Sequence, residues 1–521
     1  MRRSFRWPIP ARFNMARACC DDWAAADPDR VALIDLSGDA RDVWTFARLK
    51  DASDRLASAF AAQGIGSGDR VAVLLAQGAM VPVVHFAAMK LGAVVLPLFT
   101  LFGVDALAYR LADAGARAVV TDAENLDKVM ALWPDLPDLR QVYVTGPAHA
   151  PVQSLEAAIA AARPLAAMAD TLAEDPAVLI YTSGTTGAPK GVLHAHRFLI
   201  GHLPSMELTH EGFPRSEAVG WTPADWAWIG GLMDMAMPCL YYGVPLIARR
   251  LRRFDAAEAL ALMRDQGVTN VFLPPTALKM MRGAKVPAGL RLRSVSSGGE
   301  SLGAEMLDWG RQTLNCPINE LYGQTECNLV VSQAAGFMAV RPGTMGQALP
   351  GFDVAVIDAD GTPVAPGVLG EIAVRRGAAS MFLRYWNQPE KTAEKFRGDW
   401  MCTGDLGRCD DQGYFTYVAR DDDIINSAGY RIGPSEIENC LMGDADVVLA
   451  ACVGVPDPVR GEVIRAHVVL RAGATLDVDR LIRRVQTRIS PHVAPRSVVQ
   501  EQALPMTATG KIIRKSLRDH A

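Results

Sequence analysis

The sequence predicts an α/β chain: a large N-terminal domain of α/β layers ending in a β-rich section, followed by a small α+β C-terminal domain. Three observations lead there. Short β-branched runs alternate with helical periods from Thr45 to about Val271, the pattern of buried, largely parallel sheets. After about Pro350 the strand signals shorten between Gly and Asp turns, as in VAVIDADGTPVAPGVLGEIAVR, which reads as hairpins. Finally, 521 residues exceed what one hydrophobic core usually supports.

The leading MRRSFRWPIPARFNM is basic but lacks the continuous apolar stretch of a secretory signal, so it is read as an ordinary leading segment. A helical period then runs from Phe46 to Gln63, followed by the turn GIGSGD and an apolar run from Val71 to Leu75. A second helix is expected around Pro82 to Leu91, before the run Ala93 to Leu98. Gly92 to Gly103 is the most apolar region and is too short to cross a bilayer. The alternation continues through Val119, Val142, Val178, Leu246 and Val271. From about Asp422, the strands VVLAACVGV and EVIRAHVVL mix with the helices SEIENCLM and VDRLIRRVQTRI, which sets the expected domains at 1–421 and 422–521.

Hydrophobic residues at 50% and charged residues at 21% describe a globular protein, and a net charge of -4 leaves no overall basic field for nucleic acid or anionic lipid. Nine cysteines without a CxxC pair argue against a zinc site or disulfide framework and fit reduced thiols in cytoplasm.

Tyr181 to Gly191, YTSGTTGAPKG, follows the strand-like AVLI. Small hydroxyl and glycine residues let Thr182, Ser183, Gly184, Thr185, Thr186 and Gly187 converge on phosphate oxygens, while Lys190 adds a point charge. The spacing is not that of a Walker A loop, which needs GxxxxGK[ST]. Taken alone, the glycines fit a flexible turn equally well.

This loop resembles the phosphate-gripping loop of the adenylate-forming superfamily of acyl-CoA synthetases, luciferases and peptide-synthetase adenylation domains, and further ordered motifs match. ELYGQTE resembles the segment where an aromatic ring stacks on adenine, a threonine binds the α-phosphate and a glutamate helps hold Mg²⁺; Tyr322, Thr325 and Glu326 take those places beside Gln324. SGGES resembles the strand end lining the adenine pocket, with Gly298, Gly299 and Glu300, although Ser301 stands where the family usually has proline. TGD resembles the segment whose carboxylate, Asp405, holds the ribose diol, with Arg420 as a second ribose contact after Ala419 in place of the usual glycine.

The resemblance also implies a mobile C-terminal domain rotating about Asp422 between adenylation and thioester formation. SAGYRIGPSEIE then supplies Gly429, Tyr430 and Arg431 as candidate CoA contacts, and PMTATGK places Lys511 as the catalytic lysine bridging the acid and the α-phosphate. The implied reaction turns carboxylate and ATP into acyl-AMP and pyrophosphate, then acyl-AMP and CoA into acyl-CoA and AMP, in a cytoplasmic acid-thiol ligase. Its partners are a small carboxylic acid, ATP and CoA, without nucleic acid or a membrane span.

Two features bear on the acid. Acetate-specific relatives carry tryptophan where this chain has Gly323, so a substrate larger than acetate is expected: a short- to medium-chain or small branched or aromatic monoacid. Trp221, Trp226, Trp228 and Ile229, with Met233, Met235 and Met237, resemble the acyl-pocket wall, and packing against the sheet is the bland alternative for half of them. No cation is evident there for a second carboxylate. His194 and His196 in HAH are weak metal candidates, and His196 matches a family histidine expected to start a helix. An enzyme loading a carrier protein and a non-catalytic nucleotide-binding scaffold remain as alternatives.

Overall fold

The computed structural model describes residues 5–38, 40–182, 188–300, 302–420, 423–427, 430–457, 461–507 and 512–519, with the side chains of 426, 430 and 431 also outside that description. The helix expected from Phe46 occupies Phe46–Ala62, opened by Thr45, whose hydroxyl accepts the Arg48 N–H at 3.2 Å. The next apolar runs form the strands Arg70–Leu74 and Val94–Pro97, with the helix Met80–Lys90 between them. Arg70–Leu74 pairs in parallel with Val94–Pro97 on one side and Ala118–Thr121 on the other. Strands placed this way bury both faces, which is why their sequences are continuously apolar rather than alternating. Pro176–Thr182 joins this sheet in parallel beside Val94–Pro97, and Lys190–Ala195 returns antiparallel to it.

A second sheet has a parallel half built from Val31–Asp35, Leu246–Ala248, Gly220–Trp221, Asn270–Phe272, Ser294–Gly298 and Ile318–Gln324. Pairing turns antiparallel at Asn328–Ser332. Gly346–Ala348 then pairs with Asn328–Ser332 on one edge and Tyr414–Arg420 on the other. The hairpin-rich section expected beside the α/β layers is therefore an edge-to-edge continuation of one of their sheets.

Helices lie between the two sheets. Their shared core joins Val73, Val95 and Ile180 of the first sheet to Phe272, Leu321 and Val331 of the second through Phe60, Phe86, Phe198 and Leu203. A third sheet is made only of residues from Ile425 onward, with Val447–Asp457 antiparallel and Ser497–Glu501 parallel to Gly461–Leu470. Its own core carries Ile437 and Leu441 from the helix Pro434–Met442 and Leu481 and Val485 from Val478–Arg488. No helix among the described residues is long and apolar enough to cross a membrane, and all nine cysteines are free thiols.

Candidate active site

The phosphate-loop motif sits on a β-hairpin. Pro176–Thr182 and Lys190–Ala195 are antiparallel, and the pairing of Thr182 with Lys190 closes the hairpin at its mouth. The tip, Ser183, Gly184, Thr185, Thr186 and Gly187, lies outside the described residues. Lys190 Nζ stands over the Tyr385 ring, 5.0 Å from its centre. Tyr385 in turn donates its hydroxyl to Glu326 Oε1 at 2.6 Å. One aromatic side chain thus connects the cationic end of the loop to the acid of ELYGQTE.

That motif spans the strand Ile318–Gln324 and the turn 325–327 leading into Asn328–Ser332. Tyr322 donates to Asp405 Oδ2 at 2.7 Å, and Gln324 Nε2 donates to the same oxygen at 2.8 Å and to the Thr403 carbonyl at 2.6 Å. Lys395 Nζ holds Gln324 Oε1 at 3.1 Å. Asp405 Oδ1 faces Arg420, whose Nε is 3.9 Å away across the paired strands Trp400–Cys409 and Tyr414–Arg420. TGD therefore lies inside a strand and not at a turn, with Gly404 taking a φ of +78° that a side chain would strain.

Burial pushes the Glu326 carboxyl up, but Lys395 and the hydroxyl of Tyr385 outweigh it and hold the group below its ordinary value. It is a carboxylate at neutral pH, with Oε1 accepting from Tyr385. Among the described residues no group of three His, Cys, Asp or Glu forms a metal cage. Glu326 fits Mg²⁺ in the way that ion is usually held in nucleotide sites, by one or two carboxylates together with phosphates and water. Glu320, the first residue of the same motif, points into the core instead; it accepts the Leu302 N–H at 3.1 Å, and burial pushes it up to about 8.

The glycines of SGGES have separate structural reasons. A Cβ at Gly298 would fall 2.8 Å from the Leu321 carbonyl oxygen, and Gly299 has a φ of +107°. Glu300 stands 3.6 Å from Lys279 Nζ.

Of the residues expected to wall an acyl pocket, Trp226, Trp228 and Ile229 pack in or against the core between the sheets, and Trp228 lies 5.5 Å from the Phe272 ring. Trp221 does not join them: it is fully buried on the other face of the second sheet with Ile247, Val271 and Val295. Sheet packing accounts for it. At Gly323 a Cβ would fall 1.7 Å from the Asn328 carbonyl oxygen. The glycine keeps a ring out of this place and also admits the neighbouring strand, so an indole here would require the hairpin to open.

His196 does not start a helix by capping. Its Nδ1 accepts the Met15 N–H at 3.2 Å and so anchors the leading segment, while Arg197 occupies the N-cap without a side-chain bond. His194 stacks on Phe198 with ring centres 4.0 Å apart, and burial pushes its imidazole down to about 3. Among the described residues neither histidine belongs to a metal cluster.

Asp422, Gly429 and Lys511 lie outside the described residues, as do the side chains of Tyr430 and Arg431. Sequence reasoning missed Tyr385 and Lys395. Each sits in an ordinary segment, and only tertiary packing reveals its partners.

Residues 20–386 match the AMP-binding enzyme family model, and residues 436–511 match the AMP-binding enzyme C-terminal domain. The chain is 33% identical to the acyl-coenzyme A synthetase ACSM2, mitochondrial, of Rattus norvegicus, over 98% of this chain and 92% of that protein. It is 31% identical to the acetyl-coenzyme A synthetase of Bacillus subtilis (strain 168), over 94% and 87%. A benzoate CoA ligase from Burkholderia xenovorans LB400 superposes with a TM-score of 0.86 at 28% identity, covering 97% of this chain and all of that one.

Proposed function

From the premise that the chain belongs to the AMP-binding enzyme family, we propose how its residues divide the work of an ATP-dependent acyl-CoA synthetase. The reaction has two displacements. A carboxylate oxygen attacks the α-phosphorus of ATP and pyrophosphate leaves; the CoA sulfur then attacks the acyl carbonyl and AMP leaves. Both steps bring anions together, so the site must supply fixed positive charge and oriented donors.

The observation that carries this reading is the meeting of separate motifs at two carboxylates: Tyr322 and Gln324 at Asp405, and Tyr385, beneath Lys190, at Glu326. Asp405 with Arg420 holds the ribose. Tyr322, Gly298 and Gly299 form the adenine slot, lined by Glu300. Thr325 with the loop 182–187 and Lys190 grips the phosphates, and Glu326 holds Mg²⁺, which neutralises phosphate charge when bound. Lys511 bridges the two anions during adenylation and withdraws as residues 422–521 rotate about Asp422 relative to 1–421. Gly429, Tyr430 and Arg431 then face CoA.

The acid is a monocarboxylate larger than acetate, of short to medium chain or with a small branched or aromatic body, enclosed by Trp226, Trp228, Ile229 and Gly323. Relatives whose names include a benzoate CoA ligase support this. The work is assigned to the cytoplasm, with the acid, ATP and CoA as partners.

A panel of monoacids from acetate to benzoate, assayed for AMP and thioester with and without CoA, tests the proposal. Thioester from acids larger than acetate, at higher kcat/KM than from acetate, is the expected result. Acid-dependent pyrophosphate release that never yields a CoA thioester would move the chain to a carrier-loading role, and no release with any acid would make it a nucleotide-binding scaffold.

A further inference from the structure

Three buried polar side chains from three elements meet beside the acyl wall. Asn328, at the start of the strand Asn328–Ser332 and with a φ of +55°, places its amide nitrogen 2.5 Å from His202 Nδ1. His202, on the helix Phe198–Thr209 and wholly buried, turns its Nε2 to 3.2 Å from Asp234 Oδ1. Asp234 lies in the π-helical segment Leu232–Ala236, between Met233 and Met235. The main chain of Asn328 is also the group that closes against Gly323.

An amide nitrogen only donates, so His202 Nδ1 holds the lone pair and Nε2 carries the proton toward the carboxylate. Packing gives no reason for a carboxylate here, because apolar side chains of the same size would fill a methionine-rich wall at lower desolvation cost. Nor is the carboxylate fully used. Oδ1 is buried 3.2 Å from His202 Nε2 without the alignment of a full hydrogen bond. Although deeply placed, its side chain keeps 13% of its surface accessible. Burial raises its carboxyl above the ordinary value, and His202, by contact and charge, offsets part of that rise.

We propose that Asp234, positioned by His202 and Asn328, is a specificity determinant that accepts a hydrogen bond from a hydroxyl or amino group at the distal end of the acid. The assignment rests on the reading that Trp226, Trp228 and the helix after them enclose the acyl group. A negative group at this place disfavours a second carboxylate, and it gives the enzyme a reason to discriminate between acids of equal size.

The test uses isosteric pairs on the full-length enzyme: 4-hydroxybenzoate or 4-aminobenzoate against 4-methylbenzoate, and 6-hydroxyhexanoate or 6-aminohexanoate against heptanoate. The natural enzyme should favour a donor-bearing member by about ten- to a hundredfold in kcat/KM, the worth of one hydrogen bond to a charged group. Asp234→Leu should bring that ratio to one or below. Asp234→Asn, which keeps the size and one acceptor oxygen, should lose the preference for the amine while retaining part of that for the hydroxyl, and a thermal shift with ATP checks that each variant is folded. A natural-enzyme ratio of one or less in every pair, or a ratio unchanged in both variants, overturns the proposal. If the plain acids are activated without discrimination, only this assignment falls; if no acid is activated at all, the synthetase reading falls with it.

Discussion

Replacing Asp405 by asparagine separates its structural role from its role toward ATP. Its side chain is nearly buried, with Oδ2 receiving the Tyr322 hydroxyl at 2.7 Å and Gln324 Nε2 at 2.8 Å, so Oδ1, which faces Arg420, is the oxygen placed to meet a ribose hydroxyl. An asparagine can present its carbonyl oxygen to those two donors and its NH₂ to the nucleotide, which preserves the internal bonds and removes the charge. Losing one charge-assisted bond forfeits about 1.5–3 kcal/mol, equivalent to roughly a 10- to 150-fold rise in the KM for ATP. Asp405→Ala should behave differently, because it strands two donors in the interior at about 1–3 kcal/mol each and should also lower the melting temperature. The assay is acid-dependent pyrophosphate release at varied ATP, alongside thermal unfolding. A folded Asp405→Asn enzyme whose KM for ATP stays within twofold of the natural value would refute the ribose assignment.

Three further outcomes are expected. Glu320 titrates near 8 in the folded chain against its usual 4.5, so the unfolded chain loses its proton first and stability falls as pH rises between those values. Glu320→Gln should therefore gain in melting temperature relative to the natural protein as pH rises from 4.5 to 8, and parallel curves would contradict this. Gly323→Ala places a Cβ 1.7 Å from backbone that has no side-chain end to swing away, so a loss of stability of about 1–3 kcal/mol or more is expected by chemical or thermal unfolding. Lys511→Ala should abolish adenylate formation yet leave thioester formation from supplied acyl-AMP largely intact, measured as two separate half-reactions; equal loss of both would contradict the rotation.

The parallel strands were legible because a strand buried on both faces leaves a continuous apolar run, as in Val94–Pro97. Sheet continuity through Gly346–Ala348 was not, because three residues carry no pattern and their partners lie far away in the chain. Of the site, the residues that touch nucleotide in the proposal were readable as motifs, since chemistry restricts their types. The groups that hold them were invisible for the opposite reason: Tyr385 and Lys395 act through Glu326 and Gln324, which are 59 and 71 residues away in sequence. Trp221 was misplaced because it stands on a strand of the second sheet while Trp226 lies beyond that strand's end, so proximity in sequence says nothing about which face of the sheet each one packs against.

The central claim is that activation and transfer are separate displacements linked by acyl-AMP, and exchange of labelled pyrophosphate into ATP tests it most directly. With a suitable acid and Mg²⁺ but no CoA, label should enter ATP, and subsequent CoA should release one AMP for each thioester formed. Exchange that requires CoA, or release of ADP and phosphate in place of AMP and pyrophosphate, would contradict it.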